Sequence, residues 1–154
     1  KKNNLAIILF CTILTACGFK PIVMDNLNSI SLIELDTKGN KIINYKISNY
    51  LKQNLGYGKD NPTKIKVEIN SKKKRTAKEK NSKNEITKFT LTITSEVIVN
   101  NLENSTSFTF SLIKINEYKV DDKYSVTIQN EKKAVNELIN NLTQDIVKNI
   151  LLKI

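Results

Sequence analysis

The chain has 154 residues, a length that fits one domain, with 40% apolar and 26% charged residues, and its formal net charge is +10. It contains no histidine, which removes Ser-His-Asp and Cys-His catalysis, histidine metal sites and histidine pH switching. With four glycines and neither a GxxxxGK[ST] nor a GxGxxG pattern, a phosphate-cradling loop is not expected, and neither is a cofactor or an enzymatic activity.

The charge has two readings. Of the 25 basic residues only Arg75 is an arginine, and asparagine and isoleucine are abundant, as an AT-rich coding sequence would produce. An anionic partner would use the same excess. The preference for lysine argues against bidentate readout of bases, where arginine geometry serves best, so nucleic acid is not an expected partner.

The first segment is the most informative. Lys1 and Lys2 precede an apolar run from Leu5 to Leu14, about the length of a signal-peptide core and short of the roughly 20 residues that span a bilayer. Leu14-Thr15-Ala16-Cys17 follows. Small residues before a cysteine suit a processing peptidase, and the thiol offers a point for thioether attachment of a diacylglyceryl group. The motif resembles the bacterial lipobox. It divides the chain into a leader (1–16), a lipidated start and tether (17–28) beginning at Cys17, and one domain (29–154). Cleavage would remove Cys11, so neither a disulfide nor a cysteine metal site is expected. It would also remove Lys1 and Lys2 and no acid, lowering the charge from +10 to +8. One acyl chain anchors marginally, and two or three make attachment effectively permanent. Gly18 stands where an aspartate would signal inner-membrane retention in enterobacterial sorting, so outer-membrane delivery is permitted.

Elements follow in order. Ile30 to Leu35 (ISLIEL) reads as a strand closed by Gly39-Asn40. Ile43, Ile47, Tyr50, Leu51 and Leu55 recur at helical spacing, and Gly56 can close that helix. Three runs alternate apolar and polar residues: KIKVEI from Lys64, KFTLTITSEVIV from Lys88 and SFTFSLIKI from Ser107. Such alternation buries one sheet face and wets the other. In the third run the apolar phase shifts to Ile113 and Ile115, which predicts a β-bulge. Asn100 to Asn104 is a hairpin loop by composition. Val135, Leu138, Ile139, Leu142, Ile146, Ile150 and Leu151 form one stripe of a long helix starting between Asp122 and Asn130. The order β-α-β-β-β-α predicts an α+β two-layer sandwich, a four-stranded mainly antiparallel sheet with two helices on one face.

Two surface features invite a function. Thr90, Thr92 and Thr94 form a row on the sheet's polar face, either an ordinary solvated surface or one enclosed by another wet surface. Lys72 to Lys83 (KKKRTAKEKNSK) carries seven basic residues and one acid between two strands. It reads as a hairpin tip or its arms, either a solvated mobile loop or an anion site. No aromatic residue interleaves with these lysines, so base stacking is unsupported. Asp121 and Asp122 are sequence neighbours whose side chains diverge, which makes them a poor acid–base dyad.

CGFKPIV, from Cys17 to Val23, resembles the opening of the lipopolysaccharide-assembly lipoprotein family LptE, particularly its alphaproteobacterial forms. Tyr118 to Ile146, with Glu131, Ala134 and Asp145, is similar to that family's tyrosine-containing segment and final helix. The element order matches too. The single arginine and the lysine and asparagine content depart from the family. The resemblance implies a plug inside the β-barrel LptD at the periplasmic side of the outer membrane, lipid-anchored at Cys17, with lipopolysaccharide as a second partner. It implies that the threonine face meets a wet lumen and that Lys72, Lys73, Lys74 and Arg75 contact lipid A phosphates. The alternative is a lipoprotein adaptor or pilot of another envelope machine.

Overall fold

The computed structural model describes residues 29–154. The leader, the tether and the acylation site expected at Cys17 lie outside the described residues. The elements are β1 (Ile30–Gly39), α1 (Lys41–Asn54), β2 (Thr63–Lys80), β3 (Ile86–Asn101), β4 (Thr106–Lys119) and α2 (Tyr124–Lys153). The strands form one sheet in chain order. β1 runs parallel to β2 through the α1 crossover, and the two following pairs are antiparallel. This is the expected β-α-β-β-β-α architecture.

Local chemistry sets the ends of α1. Asn40 is its N-cap, and its side-chain oxygen accepts from the Ile43 N–H at 3.1 Å. Gly39 holds φ +91° while passing β2 so closely that a Cβ would lie 2.2 Å from the Ser71 carbonyl oxygen. Only glycine satisfies both demands. Gly56, at φ +57°, turns the chain after the helix, where a Cβ would meet the Ile30 carbonyl oxygen at 2.7 Å.

Both helices cover one sheet face. Ile43, Ile47, Leu51 and Leu55 of α1 and its exit meet Leu32, Ile65, Val67 and Ile69, all buried. Leu138, Ile139, Leu142, Ile146 and Ile150 of α2 complete the core with Leu91, Ile93, Val97 and Val99. Each such side chain contributes about 1.5–3 kcal/mol by leaving water. One polar step interrupts the inner face: Ser71 and Ser95 are register partners, fully buried, and hydrogen-bond each other at 2.6 Å. No described element covers the outer face, where Glu34 pairs with Lys66 and Lys38 with Glu68 across strands.

The structure departs from two of the sequence expectations. For the basic stretch the hairpin-arm reading holds and the mobile-loop reading does not. β2 runs on through Lys80, its arm pairing with β3 from Lys72↔Thr94 to Lys80↔Ile86, and only residues 81–85 turn. Asn81 organises that turn, its side-chain oxygen accepting from the N–H groups of Lys83 and Glu85. The lysines have poor strand propensity, but β3 supplies a ladder that extends them anyway, regular to Ala77↔Phe89 and shifted in register on either side of Glu79. The second difference is β4, which carries no bulge. Its register with β3 is unbroken from Lys119↔Lys88 to Thr106↔Asn101. Ile113 and Ile115 therefore point outward, 61% and 63% exposed, while Lys114 between them turns inward to pair with Asp145 of α2. The phase shift marks a change in which face is apolar, not an extra residue.

Candidate functional site: the basic arm of β2

Because the arm is a strand, its side chains alternate, and the four residues singled out by charge divide. Lys73 and Arg75 lie on the helix-covered face, opposite Ile93 and Leu91. Lys72 and Lys74 lie on the open face, opposite Thr94 and Thr92. The structure does not bring them together as one cluster.

Inward, the arm passes the first turns of α2 and meets Glu131. Lys73 Nζ donates to Glu131 Oε1 at 2.7 Å, and Arg75 Nη1 and the Tyr118 hydroxyl reach Oε2 at 3.4 and 3.2 Å. The Glu131 side chain is only 18% exposed. The hydrogen bond from Lys73 and its charge, with help from Tyr118 and Arg75, outweigh the burial penalty and hold this carboxyl below the usual glutamate range. Burial pushes the Tyr118 phenol up, so it stays protonated and donates. The Arg75 guanidinium lies 4.7 Å over the Phe89 ring, which stacks on Tyr118 at 5.5 Å. Sequence reasoning placed Glu131 in a family-like segment but missed this role. Alternation carried through Lys72–Arg75 would have put Lys73 and Arg75 on the α2 side.

Glu131 also borders two open hollows. One, of about 480 Å³, lies between the helices and is walled by Ile42, Ile43, Ile128 and Val135, with Lys46 and Lys132 at its rim. The other, of about 420 Å³, lies at the head of α2 beside Arg75, Phe89 and Tyr124. Asp121 and Asp122 border the second hollow without forming a dyad. Asp121 serves the turn, its carboxylate accepting from the Lys123 N–H while Thr127 binds its backbone.

Outward, register places side chains in three rows across β2, β3 and β4: Lys72–Thr94–Ile113, Lys74–Thr92–Ile115 and Thr76–Thr90–Glu117. The threonines are half-buried among their neighbours. Lys78 pairs with Glu117 at the end of this patch. Lys72 and Lys74 make no salt bridge among the described residues, unlike Lys38 and Lys66 elsewhere on the same face. Two unpaired cations thus stand about 10 Å, two strand spacings, from two exposed isoleucines, with hydroxyls between. The patch can take up anions and apolar groups together, and among the described residues no acidic or cysteine cluster could hold a metal.

The two-layer α+β fold is one that solved structures share. Rare lipoprotein B from Shewanella oneidensis superposes with a TM-score of 0.60 at 13% identity, covering 76% of this chain and 92% of that one. A Caulobacter crescentus CB15 protein designated a lipoprotein gives 0.60 at 15% identity, covering 84% and 93%. A minor lipoprotein from Acinetobacter baumannii gives 0.59 at 17% identity, covering 80% and 92%. At these identities the shared property is the fold. No family model and no curated protein sequence matches the chain.

Proposed function

We propose that this chain is a non-catalytic outer-membrane lipoprotein of the LptE kind, anchored through Cys17, that lodges in the lumen of the LptD β-barrel and assists lipopolysaccharide delivery to the outer leaflet. The observation that carries the reading is a coincidence of two independent features. The sequence places a lipobox-like Leu14-Thr15-Ala16-Cys17 and CGFKPIV ahead of the domain, and the domain shares its fold with three structures that bear the lipoprotein name. The uncovered sheet face supports it further, because a row of threonines suits the wall of a polar, water-filled lumen. Within this reading the phosphate contacts fall to Lys72 and Lys74, since Lys73 and Arg75 are engaged by Glu131.

The test is affinity purification from detergent-extracted outer membranes, with mass identification of whatever remains bound. A large β-barrel recovered in stable complex supports the proposal. Recovery of soluble periplasmic proteins alone, or of the components of a different envelope machine, overturns it in favour of an adaptor or pilot.

A further inference from the structure

The sheet has three stretches of unpaired strand edge among the described residues, and they are not alike. β1 breaks register between Leu32 and Glu34. Beyond Ser71, where β1 stops pairing, the β2 arm has an open edge that carries Lys72, Lys73, Lys74, Arg75, Lys78 and Lys80. Bulges and lysines are devices that keep strangers off an edge. β4 has no bulge and no proline over 14 residues, no strand lies beyond it, and Lys114, its one lysine between Thr109 and Ile115, is drawn inward to Asp145 of α2.

The backbone of β4 has an orientation that can be read. The Glu117 N–H is taken by the Asn116 side chain, and the Lys119 carbonyl accepts from Asn130. Odd-numbered residues therefore turn their backbone groups away from β3, and those at 117 and 119 are already capped. By alternation, Thr109, Ser111, Ile113 and Ile115 present theirs to open space. Side chains tell the same story on both faces. Val97 and Val99 of β3 are fully buried, but their register partners Phe110 and Phe108 are only half-buried. Lys153 lies 5.4 Å over both of these rings. On the outer face Ile113 and Ile115 are exposed. Beside the strand's far end, a polar notch of about 310 Å³ opens against α2, walled by Glu117, Lys119, Asn130, Lys133 and Glu137.

We infer that the β4 edge from Thr109 to Ile115 is a strand-addition site for an extended segment of a partner protein, with apolar side chains on both faces. Backbone groups at a fixed spacing are matched by another strand. Apolar residues on one face of the incoming segment cover Phe108 and Phe110, and those on the other cover Ile113 and Ile115. A second copy of this chain fits poorly. Antiparallel β4 strands set Ile113 against Ile115 only when centred on Lys114, which places two lysines opposite each other. A shift of one residue in the centre, either way, faces an isoleucine with Ser111 or Glu117. The inference goes beyond the lumen reading and does not depend on it, since a closed barrel has no edge strand to donate.

The test uses the isolated folded chain and a peptide of ten alternating valines and isoleucines flanked by lysines, apolar on both faces as a strand, read by residue-resolved amide hydrogen exchange. The expected result is at least tenfold slower exchange at Ser111, Ile113 and Ile115, with no change along β1. It is expected to vanish with a peptide N-methylated at alternate residues. It is also expected to vanish in the Ile113→Lys/Ile115→Lys variant, whose exposed positions leave the fold intact, and in Ser111→Pro, which removes one outward N–H. Unchanged exchange at millimolar peptide overturns the inference, as does equal protection of β1. Sedimentation of the free chain as a dimer with these amides already protected also overturns it, by giving the edge to a second copy.

Discussion

At the residue scale the structure turns on a few side chains with several duties. Glu131 receives Lys73, Arg75 and Tyr118 at once, so the cost of its burial is met only while it is ionised. Its folded-state pKa is depressed, so its contribution is present above the ordinary glutamate range and lost as pH falls through the folded value. Glu131→Gln is expected to cost about 1–2 kcal/mol at pH 7 in urea unfolding, a charged hydrogen-bond magnitude discounted for partial exposure. The gap to the parent chain should close as pH falls below the ordinary glutamate range and through the folded value. A constant gap at every pH would mean that packing, not charge, is what Glu131 supplies. Gly39 makes a second demand. Gly39→Ala forces a Cβ against the Ser71 carbonyl at positive φ, so a loss of more than about 1 kcal/mol is expected in the same assay. Neither role could be read from the sequence, because both depend on which strands become neighbours.

At the element scale, legibility followed periodicity. β3 keeps one phase of alternation, with Ser95 its single polar step, and α2 keeps one apolar stripe, and both appear where alternation or helical spacing puts them. The β2 arm has no such signal, since Asn70 to Lys80 contains no valine or isoleucine and its strand state comes from β3 alongside. β4 misled for a different reason. Its apolar residues change faces midway, and a bulge and a change of faces look alike in a one-dimensional pattern. The alternation of the arm yields a prediction at this scale. Replacing Lys73 and Arg75 with glutamine frees the arm from α2 and should speed amide exchange in residues 72–80. Under the proposed function, replacing Lys72 and Lys74 with glutamine should leave exchange unchanged while weakening binding to lipopolysaccharide micelles by up to about thirtyfold, at about 1 kcal/mol for each lysine near a phosphate-bearing surface. Equal effects of the two pairs on binding would remove the facial division from the mechanism. In α2, Leu142 is fully buried, and Leu142→Ala is expected to cost about 2–5 kcal/mol in thermal or urea unfolding.

At the scale of the whole molecule, two helices seal one face of a sheet and leave the other face and the sheet's outer strand edges without a described strand partner. The fold class was readable because β-α-β-β-β-α patterning with one-sided strands admits few two-layer solutions. The open β4 edge was not, because strand order and register are long-range properties, whereas the division of the basic run follows from alternation once β2 is known to continue past Asn70. A sheet open on one side and beside a basic arm is suited to being held against another surface. The net charge of +10 gives such encounters a salt dependence, and binding to anionic micelles should weaken between low and physiological ionic strength.

The proposed function presumes that Cys17 ties the domain to a membrane. Intact mass spectrometry of the protein purified from its native membranes, with Cys17→Ser alongside, tests that directly. The account predicts a chain beginning at Cys17 whose mass exceeds that of the bare polypeptide by a diacylglyceryl group, with or without one further acyl chain, and a serine variant lacking both the cleavage and the added mass. A native species that keeps residues 1–16, or one that begins at Cys17 without any lipid, would contradict it.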